Sequence, residues 1–425
     1  MRILVTNAYS YKNKGDAAIV LALLEEIRRV FDKPEIVIQT TDVLNDEGMY
    51  GAPVASSLLW ILLSRVRDRS PLVRVWVPLS GIATLLCFCI GFRLFGRCPD
   101  FLLSKDLKEF VRENRRADFA IGCGGGYLRS PNASLRETIL FGVVCLNLLT
   151  AKYLGKNVYL YSQSIGPVHS RLQRNMLRFT LTHMDLIELR EDASLEYVQQ
   201  LKIPTRTVVT ADPALLLGGR GKFPAKQVKL RRGRLHVGIT VRRWFDNPKD
   251  FEAYLLAVAK TIDYLIMHHD AEVFYIPQVV AENFSDDDRA TARQVWRNVK
   301  KRTYFTMVEA DLHPLEIIGI CSEMDIFIGT RMHSNIFALI SDVPVVAIGY
   351  EHKTKGIMRG LGLEELTVDI HHANFSSLKQ KVDLLLDKRV YYKEIIQKNL
   401  PAQIKQSKSA IEAIERLQPE REAAV

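Results

Sequence analysis

An arginine and a histidine stand two residues apart in the segment Gly329-Thr330-Arg331-Met332-His333-Ser334. The apolar residues 326–328 before this segment predict a buried strand, and residues 334–340 predict a helix. Arg331 and His333 then lie between the C-terminal end of a strand and a helix N-terminus, where ligands bind in open α/β sheets. The free amides of the helix N-terminus favour a phosphate or carboxylate, which Arg331 could hold while His333 moves a proton. The segment predicts a site for a small anion that undergoes chemistry.

Other polar or glycine residues follow predicted strands and are candidates for binding a substrate. In the first half of the chain these are Asn13, Asp16, Gly125, Gly126, Ser164, Arg190 and Asp212, and in the second half Arg242, Gln278, Ser334, Tyr350 and Lys353. We expect Asp16 to be the N-cap of its helix, and the glycine loop to bring backbone amides close to a ligand. This loop is no dinucleotide fingerprint, because Tyr127 stands where the third glycine would fall.

The composition is that of a folded protein with anionic partners. The 425 residues are 48% hydrophobic and 25% charged, which excludes a disordered chain, and the length suggests two domains or three. A net charge of +10 favours anionic substrates, nucleic acid or acidic lipid without choosing among them. The six cysteines lack zinc-site spacing, so we interpret them as free thiols and expect no metal ion. The first residues enter a strand directly, so we expect a cytoplasmic protein without a signal peptide.

Strands alternate with helices along most of the chain, which predicts parallel sheets. The predicted fold class is α/β, with two Rossmann-like domains facing across a cleft in a GT-B-like arrangement. We expect an N-terminal acceptor-side domain at 1–217, a basic linker at 218–234, and a donor domain at 235–385, followed by a helical tail at 386–425. The linker carries seven basic residues and no acidic one; it reads as a solvated loop or as a contact with anionic lipid.

A hydrophobic helical insertion interrupts the first domain at 52–100. Between Arg74 and Arg93 there are 18 uncharged residues, and arginines flank the apolar runs. A membrane span needs about 20 apolar residues, and Pro78 and Gly81 interrupt this one. Three interpretations stay open at this point. The insertion is a buried helical element or dimer surface, a helix or hairpin that dips into the cytoplasmic leaflet, or a true span.

The chain resembles the polysaccharide pyruvyltransferase family, whose motifs it carries in the family's order. They are N-x-G-D-x-A-I from Asn13, the glycine triplet 124–126, S-x-S-I-G-P from Ser162, L-R-E-x-x-S from Leu189, A-D-P-A from Ala211, V-R-R-W from Val241, G-x-R-x-H from Gly329, and P-V-V-A-I-x-Y-x-x-K from Pro344. Together they span residues 1 to about 360, apart from the insertion. In this order and spacing the motifs are specific.

This resemblance implies a transferase that moves the carboxyethylidene unit of phosphoenolpyruvate onto a sugar as a ketal. It ties Arg331 and His333 to phosphoenolpyruvate, with Arg190 or Arg242 as a second donor-binding arginine. His333 is then the candidate general acid, while Asp16 or Asp212 could orient or deprotonate the sugar hydroxyl. The expected partners are phosphoenolpyruvate, a sugar or lipid-linked acceptor and an anionic membrane surface, with no cofactor, since phosphoenolpyruvate is a substrate.

Two other functions stay open from the sequence. A GT-B glycosyltransferase would use a nucleotide sugar, with Glu351 as a candidate partner of the ribose. A non-catalytic scaffold of a polysaccharide assembly complex would need the insertion but not Arg331 or His333. Nucleic-acid binding is not expected, because the basic residues lack interleaved aromatics on a strand face. We therefore expect a pyruvyltransferase held peripherally on the inner face of the plasma membrane.

Overall fold

The computed structural model describes residues 1–64, 71–96, 98, 101, 103–130, 132–281 and 286–418, which divide into two compact units. Unit 1 comprises Met1–Tyr11, Ile19–Pro213 and the chain from Lys408 onward, whereas unit 2 comprises Lys12–Ala18 and Ala214–Ser407. The consecutive ranges expected from the sequence differ from this division in two places. A short segment near the N-terminus belongs to unit 2, and the end of the chain belongs to unit 1.

Unit 1 is built on one parallel sheet. Its strands are β1 (Arg2–Ala8), β2 (Glu35–Thr40), β3 (Val54–Ser56), β4 (Phe119–Gly122), β5 (Gly125–Leu128), β6 (Asn157–Ile165), β7 (Leu186–Leu189) and β8 (Thr207–Val209). They lie in the order β3-β2-β1-β4-β6-β7-β8, and β5 pairs with β6. The connecting helices are α1 (Lys14–Val30), whose residues up to Ala18 belong to unit 2, α2 (Val43–Asp46), α3 (Leu58–Ser64), α4 (Pro71–Phe95), α5 (Lys105–Arg116), α6 (Leu135–Tyr153), α7 (Arg171–Thr182) and α8 (Asp192–Gln200).

Unit 2 contains a second parallel sheet. Its strands are β9 (Leu235–Thr240), β10 (Ala271–Tyr275), β11 (Phe305–Met307), β12 (Ile326–Gly329), β13 (Val345–Gly349) and β14 (Thr367–Asp369). Their order is β11-β10-β9-β12-β13-β14, the doubly wound arrangement in which the direction of winding reverses between β9 and β12. The helices are α9 (Pro248–His268), α10 (Asp288–Asn298), α11 (Pro314–Cys321), α12 (Met332–Leu339), α13 (His352–Gly360), α14 (Phe375–Asp387) and α15 (Arg389–Glu415), whose last residues belong to unit 1.

The apolar runs explain why these sheets form. Strands of a parallel sheet are covered on both faces, and β4, β7, β12 and β13 are buried at every position. The strand predicted from the apolar residues 326–328 is observed as β12, which extends one residue further to Gly329. The α/β fold class with two Rossmann-like sheets is thus confirmed.

The hydrophobic insertion differs from the prediction at its start. Residues Val54–Ser56 form β3, which pairs in parallel with β2, so the helical part begins only at Leu58. Helix α4 then packs part of its surface into a core shared with α3, α5 and α6. By length and composition, one described helix, Trp76–Phe95, could cross a membrane.

The segment expected to be a linker is part of unit 2 and packs against its helix α11. Gly221 lies so close to α11 that a Cβ on it would be 2.7 Å from the amide nitrogen of Gly319. The amide of Lys222 donates a hydrogen bond to the carbonyl of Leu315 at 2.8 Å. This part of 218–234 is therefore a packed connection, because two glycines allow the backbones to touch.

Candidate functional site

The ends of β9 and β12 adjoin at the point where the winding of the unit 2 sheet reverses. Thr240 at the end of β9 pairs in register with Gly329 at the end of β12. The Thr240 hydroxyl accepts a hydrogen bond from the amide of Thr330 at 3.1 Å and contacts the Ser334 hydroxyl at 2.8 Å. Ser334 is fully buried and also donates to the carbonyl of Arg331 at 2.6 Å. These bonds fix the turn in which Arg331 precedes helix α12.

Arg331 is buried among carboxylates. Its Nη2 donates to Asp288 Oδ1 at 2.6 Å, and its Nη1 donates to Asp286 Oδ2 at 3.0 Å. Burial disfavours the guanidinium charge, but the carboxylates of Asp288 and Asp286 outweigh it and raise the pKa of Arg331 above its ordinary value. Asp288 Oδ2 also accepts from the amides of Gln278 and Val279 at 2.9 and 3.0 Å. Arg331 therefore ties the loop after β10 to the turn that holds His333.

His333 lies in the first turn of α12, half-buried, with its ring against the backbone of Gly15. A Cβ on Gly15 would overlap Nδ1 of the imidazole and lie 2.5 Å from its Cγ. Glycine is thus the residue type that allows this approach. The contact brings the first motif of the chain, Asn13–Asp16, to the same place in unit 2 as the G-x-R-x-H motif.

The segment Lys12–Ala18 is held within unit 2 by backbone and side-chain bonds. The amide of Lys14 donates to the carbonyl of Gln278 at 2.8 Å, and the amide of Val280 donates to the carbonyl of Lys12 at 2.9 Å. Lys14 is fully buried, and its Nζ lies 2.5 Å from Asp311 Oδ1, while Lys12 pairs with the other oxygen. The opposing charges of both lysines outweigh burial and lower the pKa of Asp311.

The helix cap in this segment is a correction to the sequence prediction. Helix α1 begins at Lys14, and the Asn13 side chain accepts a hydrogen bond from the amide of Gly15 at 3.2 Å. Asp16 lies inside the first turn, where its Oδ2 accepts from Asn13 Nδ2 at 2.6 Å. Asn13 therefore caps the helix, because its carbonyl oxygen reaches the first free amide. The carboxylate of Asp16 is oriented by Asn13.

Two further cations of unit 2 flank aromatic or acidic groups. The guanidinium of Arg242 lies 4.7 Å from the ring centroid of Tyr350 and 5.5 Å from that of Trp244. Its Nη2 donates to Asp286 Oδ2 at 3.3 Å, so Asp286 bridges Arg242 and Arg331. Lys353 pairs with Glu351 at 2.7 Å. Arg242 and Tyr350 are brought together as a cation–π pair beside the His333 turn.

Gln278 contributes its backbone to the site and holds a buried amide. Only 2% of the residue is exposed, and among the described residues neither side-chain amide atom has a hydrogen-bond partner. An unsatisfied buried amide is costly, which is typical of a group that pairs with a ligand. Within the described ranges no three His, Cys, Asp or Glu side chains gather as metal ligands. That the reaction needs no metal or cofactor stays a prediction.

Unit 1 contains a separate cluster built around Arg190. Arg190 follows β7 and is buried, with Nε donating to Ser164 Oγ at 2.7 Å and Nη1 donating to Asp212 Oδ2 at 2.8 Å. Ser164 in turn donates to Glu191 at 3.0 Å. Hydrogen bonds therefore connect three motifs of the sequence at one edge of the unit 1 sheet. These are the motifs that contain Ser164, Arg190 and Asp212.

Two residues of the glycine triplet lie in a strand, so the predicted glycine loop is reduced to Gly124 and the residue before it. Gly125 and Gly126 begin β5, and Gly125 pairs with Gln163 of β6. Gln163 donates to the Tyr127 hydroxyl at 2.8 Å and to the carbonyl of Gly122 at 3.2 Å. The preceding Gly124 lies against strand β6, where a Cβ would be 3.1 Å from the carbonyl oxygen of Ser162. The close packing of β5 on β6 thus accounts for glycine here.

The sequence reasoning missed the acidic partners of Arg331 and the role of Gly15. Asp286 and Asp288 belong to an acidic triplet that ends the loop after β10 and begins α10, at the same sheet edge as Gln278. Acidic residues that follow a predicted strand are candidates for the same sheet edge, and this signal could have identified both of them. No local signal could have assigned Gly15 to the His333 turn, since the two are 318 positions apart and belong to different halves of the chain.

Comparison with known sequences connects most of the chain to a family of polysaccharide pyruvyl transferases. A family model described as polysaccharide pyruvyl transferase matches residues 13–352. The amylovoran biosynthesis protein AmsJ of Erwinia amylovora is 25% identical over 415 residues, covering 93% of this chain and 94% of that protein. These matches confirm the resemblance drawn from the motifs.

Solved structures with a similar fold include UDP-sugar enzymes of the GT-B type. An S. aureus MnaA–UDP co-structure has a TM-score of 0.59 at 12% identity and covers 99% of each chain. UDP-GlcNAc 2-epimerase from Neisseria meningitidis bound to UDP-GlcNAc has a TM-score of 0.58 at 10% identity, covering 98% of this chain and 100% of that one. At these identities the likeness concerns the fold alone.

Proposed function

Because this chain belongs to the polysaccharide pyruvyl transferase family, it is a transferase, and we propose that its donor is phosphoenolpyruvate. The acceptor is a sugar of a polysaccharide precursor, and the product is a cyclic pyruvate ketal with release of phosphate. The observation that carries the proposal is the contact between Gly15 and His333, which unites two family motifs in unit 2. A proton donor, a carboxylate and several cations are thereby gathered at the end of one parallel sheet.

The donor is assigned to the reversal point of the unit 2 sheet. Arg242 and the N-terminal turn of α12 offer positive charge to the phosphate and carboxylate. Arg331 is already engaged by Asp286 and Asp288, so we assign it to positioning His333 and the loop that carries Gln278. The buried amide of Gln278 is a hydrogen-bond partner for the bound donor.

The chemistry begins with proton transfer to the donor. His333 as the imidazolium protonates C3 of the enol, so that C2 becomes electrophilic, and a sugar hydroxyl adds to C2 while losing its proton to a base. The bond between C2 and the bridging oxygen then breaks, and phosphate leaves. A second hydroxyl of the same sugar adds to C2 and loses its proton, which closes the ketal ring. Positive charge from Arg242 offsets the charge on the leaving phosphate.

Asp16 is the better candidate for the base than Asp212. Asp16 follows Gly15, which touches the His333 ring, and its carboxylate is oriented by Asn13 at 2.6 Å. Asp212 is buried in unit 1 in an ion pair with Arg190. We therefore assign Asp16 to the acceptor hydroxyl, and Arg190, Ser164 and Asp212 to the support of unit 1.

The acceptor is proposed to be lipid-linked. The related AmsJ takes part in the biosynthesis of amylovoran, a polymer, and the present chain carries an apolar helix at its surface. A lipid-linked precursor would be met at a membrane surface. Peripheral binding on the inner face of the plasma membrane fits this acceptor.

The test uses purified full-length protein with phosphoenolpyruvate and a panel of nitrophenyl and lipid-linked sugars. We expect phosphate release that depends on the acceptor, together with a product whose mass gain matches one carboxyethylidene group. Turnover of a nucleotide sugar without use of phosphoenolpyruvate would replace the proposal by the glycosyltransferase function. Inactivity with both donors, in protein shown to bind the acceptor, would favour the scaffold.

A further inference from the structure

Helix α4 has an apolar face that the described part of the chain leaves exposed. Trp76, Leu79, Leu86, Ile90 and Leu94 recur at intervals of three, four or seven residues, so they lie along one side of the helix. Their exposed fractions run from 36% for Leu86 to 69% for Leu94. We call these five residues the α4 face. A continuous apolar stripe of this length on a surface helix is typical of a binding surface.

The opposite side of the same helix is anchored in the protein. Leu85, Phe88 and Cys89 are fully buried in a core cluster with side chains of α3, α5 and α6. A helix that crossed a bilayer would have to withdraw these three side chains from the core. The packing therefore favours a helix that lies along a membrane surface over one that spans it.

A basic groove adjoins the apolar helix. Five exposed cations of α5 line it, namely Lys105, Lys108, Arg112, Arg115 and Arg116. The first four are spaced at intervals of three or four residues, so they lie along one side of the helix. The Arg115 guanidinium lies 5.3 Å from the ring centroid of Phe92 on α4. Of the three acidic residues of α5, Glu113 is buried against Arg2, Glu109 pairs with Arg112 at 3.2 Å, and Asp106 is partly exposed. The exposed side of α5, which packs beside α4, thus carries more positive than negative charge.

We propose that the α4 face and the cations of α5 form one docking surface for an anionic lipid bilayer. The apolar side chains enter the boundary between headgroups and acyl chains, and the lysines and arginines contact lipid phosphates. Charge complementarity selects this occupant, since a second copy of the chain would bring the same cations together. This docking surface rests on the proposed function, because it would hold the enzyme at the membrane where a lipid-linked acceptor lies. Binding to vesicles can nevertheless be measured without any enzymatic turnover.

The experiment is sedimentation of full-length protein with vesicles of phosphatidylcholine alone or with phosphatidylglycerol. We expect binding to the anionic vesicles that weakens in high salt and is small with phosphatidylcholine alone. Ile90→Asp/Leu94→Asp should weaken binding by about tenfold or more, since it places charge in the apolar face. Lys105→Glu/Lys108→Glu should weaken it by about tenfold or more on anionic vesicles.

Two control variants carry the same types of substitution on other surfaces of the protein. Leu256→Asp/Met267→Asp changes two exposed apolar residues of α9 and should bind as wild type. Lys226→Glu/Lys229→Glu changes two exposed cations of the basic connection and should also bind as wild type. Equal losses in these controls would overturn the assignment of the surface.

Two results would refute the proposal outright. One is a wild-type protein that sediments with neither vesicle. The other is a wild-type dimer that Ile90→Asp/Leu94→Asp converts to a monomer without any change in vesicle binding, which would assign the face to a second copy. Unchanged activity of this variant on a water-soluble acceptor keeps the result separate from the proposed chemistry.

Discussion

At the scale of single residues, Gly15 offers the sharpest test of the site. Gly15→Ala would force the His333 ring away from its position, because the new methyl group overlaps the imidazole. A displacement of about 1 Å can cost on the order of 100-fold in rate. We expect the rate of acceptor-dependent phosphate release to fall by about that factor in Gly15→Ala. The unfolding free energy should change by less than the activation free energy of the reaction.

Gly356→Ala is the matched control for this prediction. Gly356 lies within α13, and a Cβ there would meet no atom within 4 Å. Its activity should equal that of the wild type. Full activity of Gly15→Ala would show that His333 is not needed in its observed position.

Glu188 is a buried carboxyl whose cost to the fold depends on pH. It is fully buried in β7, and among the described residues neither oxygen has a hydrogen-bond partner. Burial raises the pKa of Glu188 well above its ordinary value. The unfolded chain therefore releases this proton at lower pH than the folded protein, so the carboxyl destabilises the fold increasingly as pH rises above about 4.3.

The substitution Glu188→Gln should remove this dependence. The difference in unfolding free energy, variant minus wild type, should grow between pH 4 and pH 8, as measured by urea unfolding. A difference that stays constant or shrinks over this range would mean that Glu188 is ionised in the folded protein. The choice of pH range follows from the ordinary glutamate pKa of about 4.3.

At the scale of elements, Arg331 joins the turn before α12 to the start of α10. Asp288 opens α10 and is 1% exposed, so removal of Arg331 would leave a carboxylate buried without its cation. Breaking such a pair costs about 3–5 kcal/mol. We expect Arg331→Met to lower the unfolding free energy by that order, measured by denaturant unfolding.

The companion variant Arg331→Met/Asp288→Asn separates fold from catalysis. It removes the unpaired charge and should recover most of the lost stability while His333 stays in place. If Arg331 positions the turn, activity should recover in part as well. Recovery of stability with no activity at all would instead assign Arg331 a direct contact with the donor.

The elements that sequence reasoning predicted best are the continuous apolar strands. The strand predicted at residues 326–328 is observed as β12, Ile326–Gly329, because a buried parallel strand leaves a short apolar run. Val54–Ser56, Gly125–Leu128 and Thr367–Asp369 were missed. These strands have only three or four residues, and their side chains are partly exposed. Their sequences lack a clear apolar pattern, so pairing with the neighbouring strands determines their conformation.

At the scale of the whole molecule, the division into units differs from the order of the chain. The segment Lys12–Ala18 lies in unit 2, although it directly follows the first strand of unit 1. The sequence predicts that the motif Asn13–Asp16 is part of a site. Its contact with His333 depends on tertiary packing and is not visible in the sequence. Sequence spacing can identify the residues of such a site, whereas only the fold identifies their partners.

The two units contain different groups of functional residues. Unit 2 gathers His333, Gly15, Asp16 and Arg242, whereas unit 1 contains the interlocked Arg190 cluster and the exposed α4 face. We therefore expect donor chemistry to depend on unit 2 and membrane binding to depend on unit 1. Variants of the α4 face should keep activity on water-soluble sugars, which the phosphate assay measures directly.

The central claim is that His333 donates the proton that starts pyruvyl transfer. The most direct measurement compares acceptor-dependent phosphate release from phosphoenolpyruvate by wild type, His333→Gln and Gly356→Ala. Loss of a general acid should lower kcat by about 100-fold to 10,000-fold in His333→Gln, with unchanged folding, and leave Gly356→Ala active. A His333→Gln enzyme that releases phosphate and forms the ketal at the wild-type rate would contradict the account.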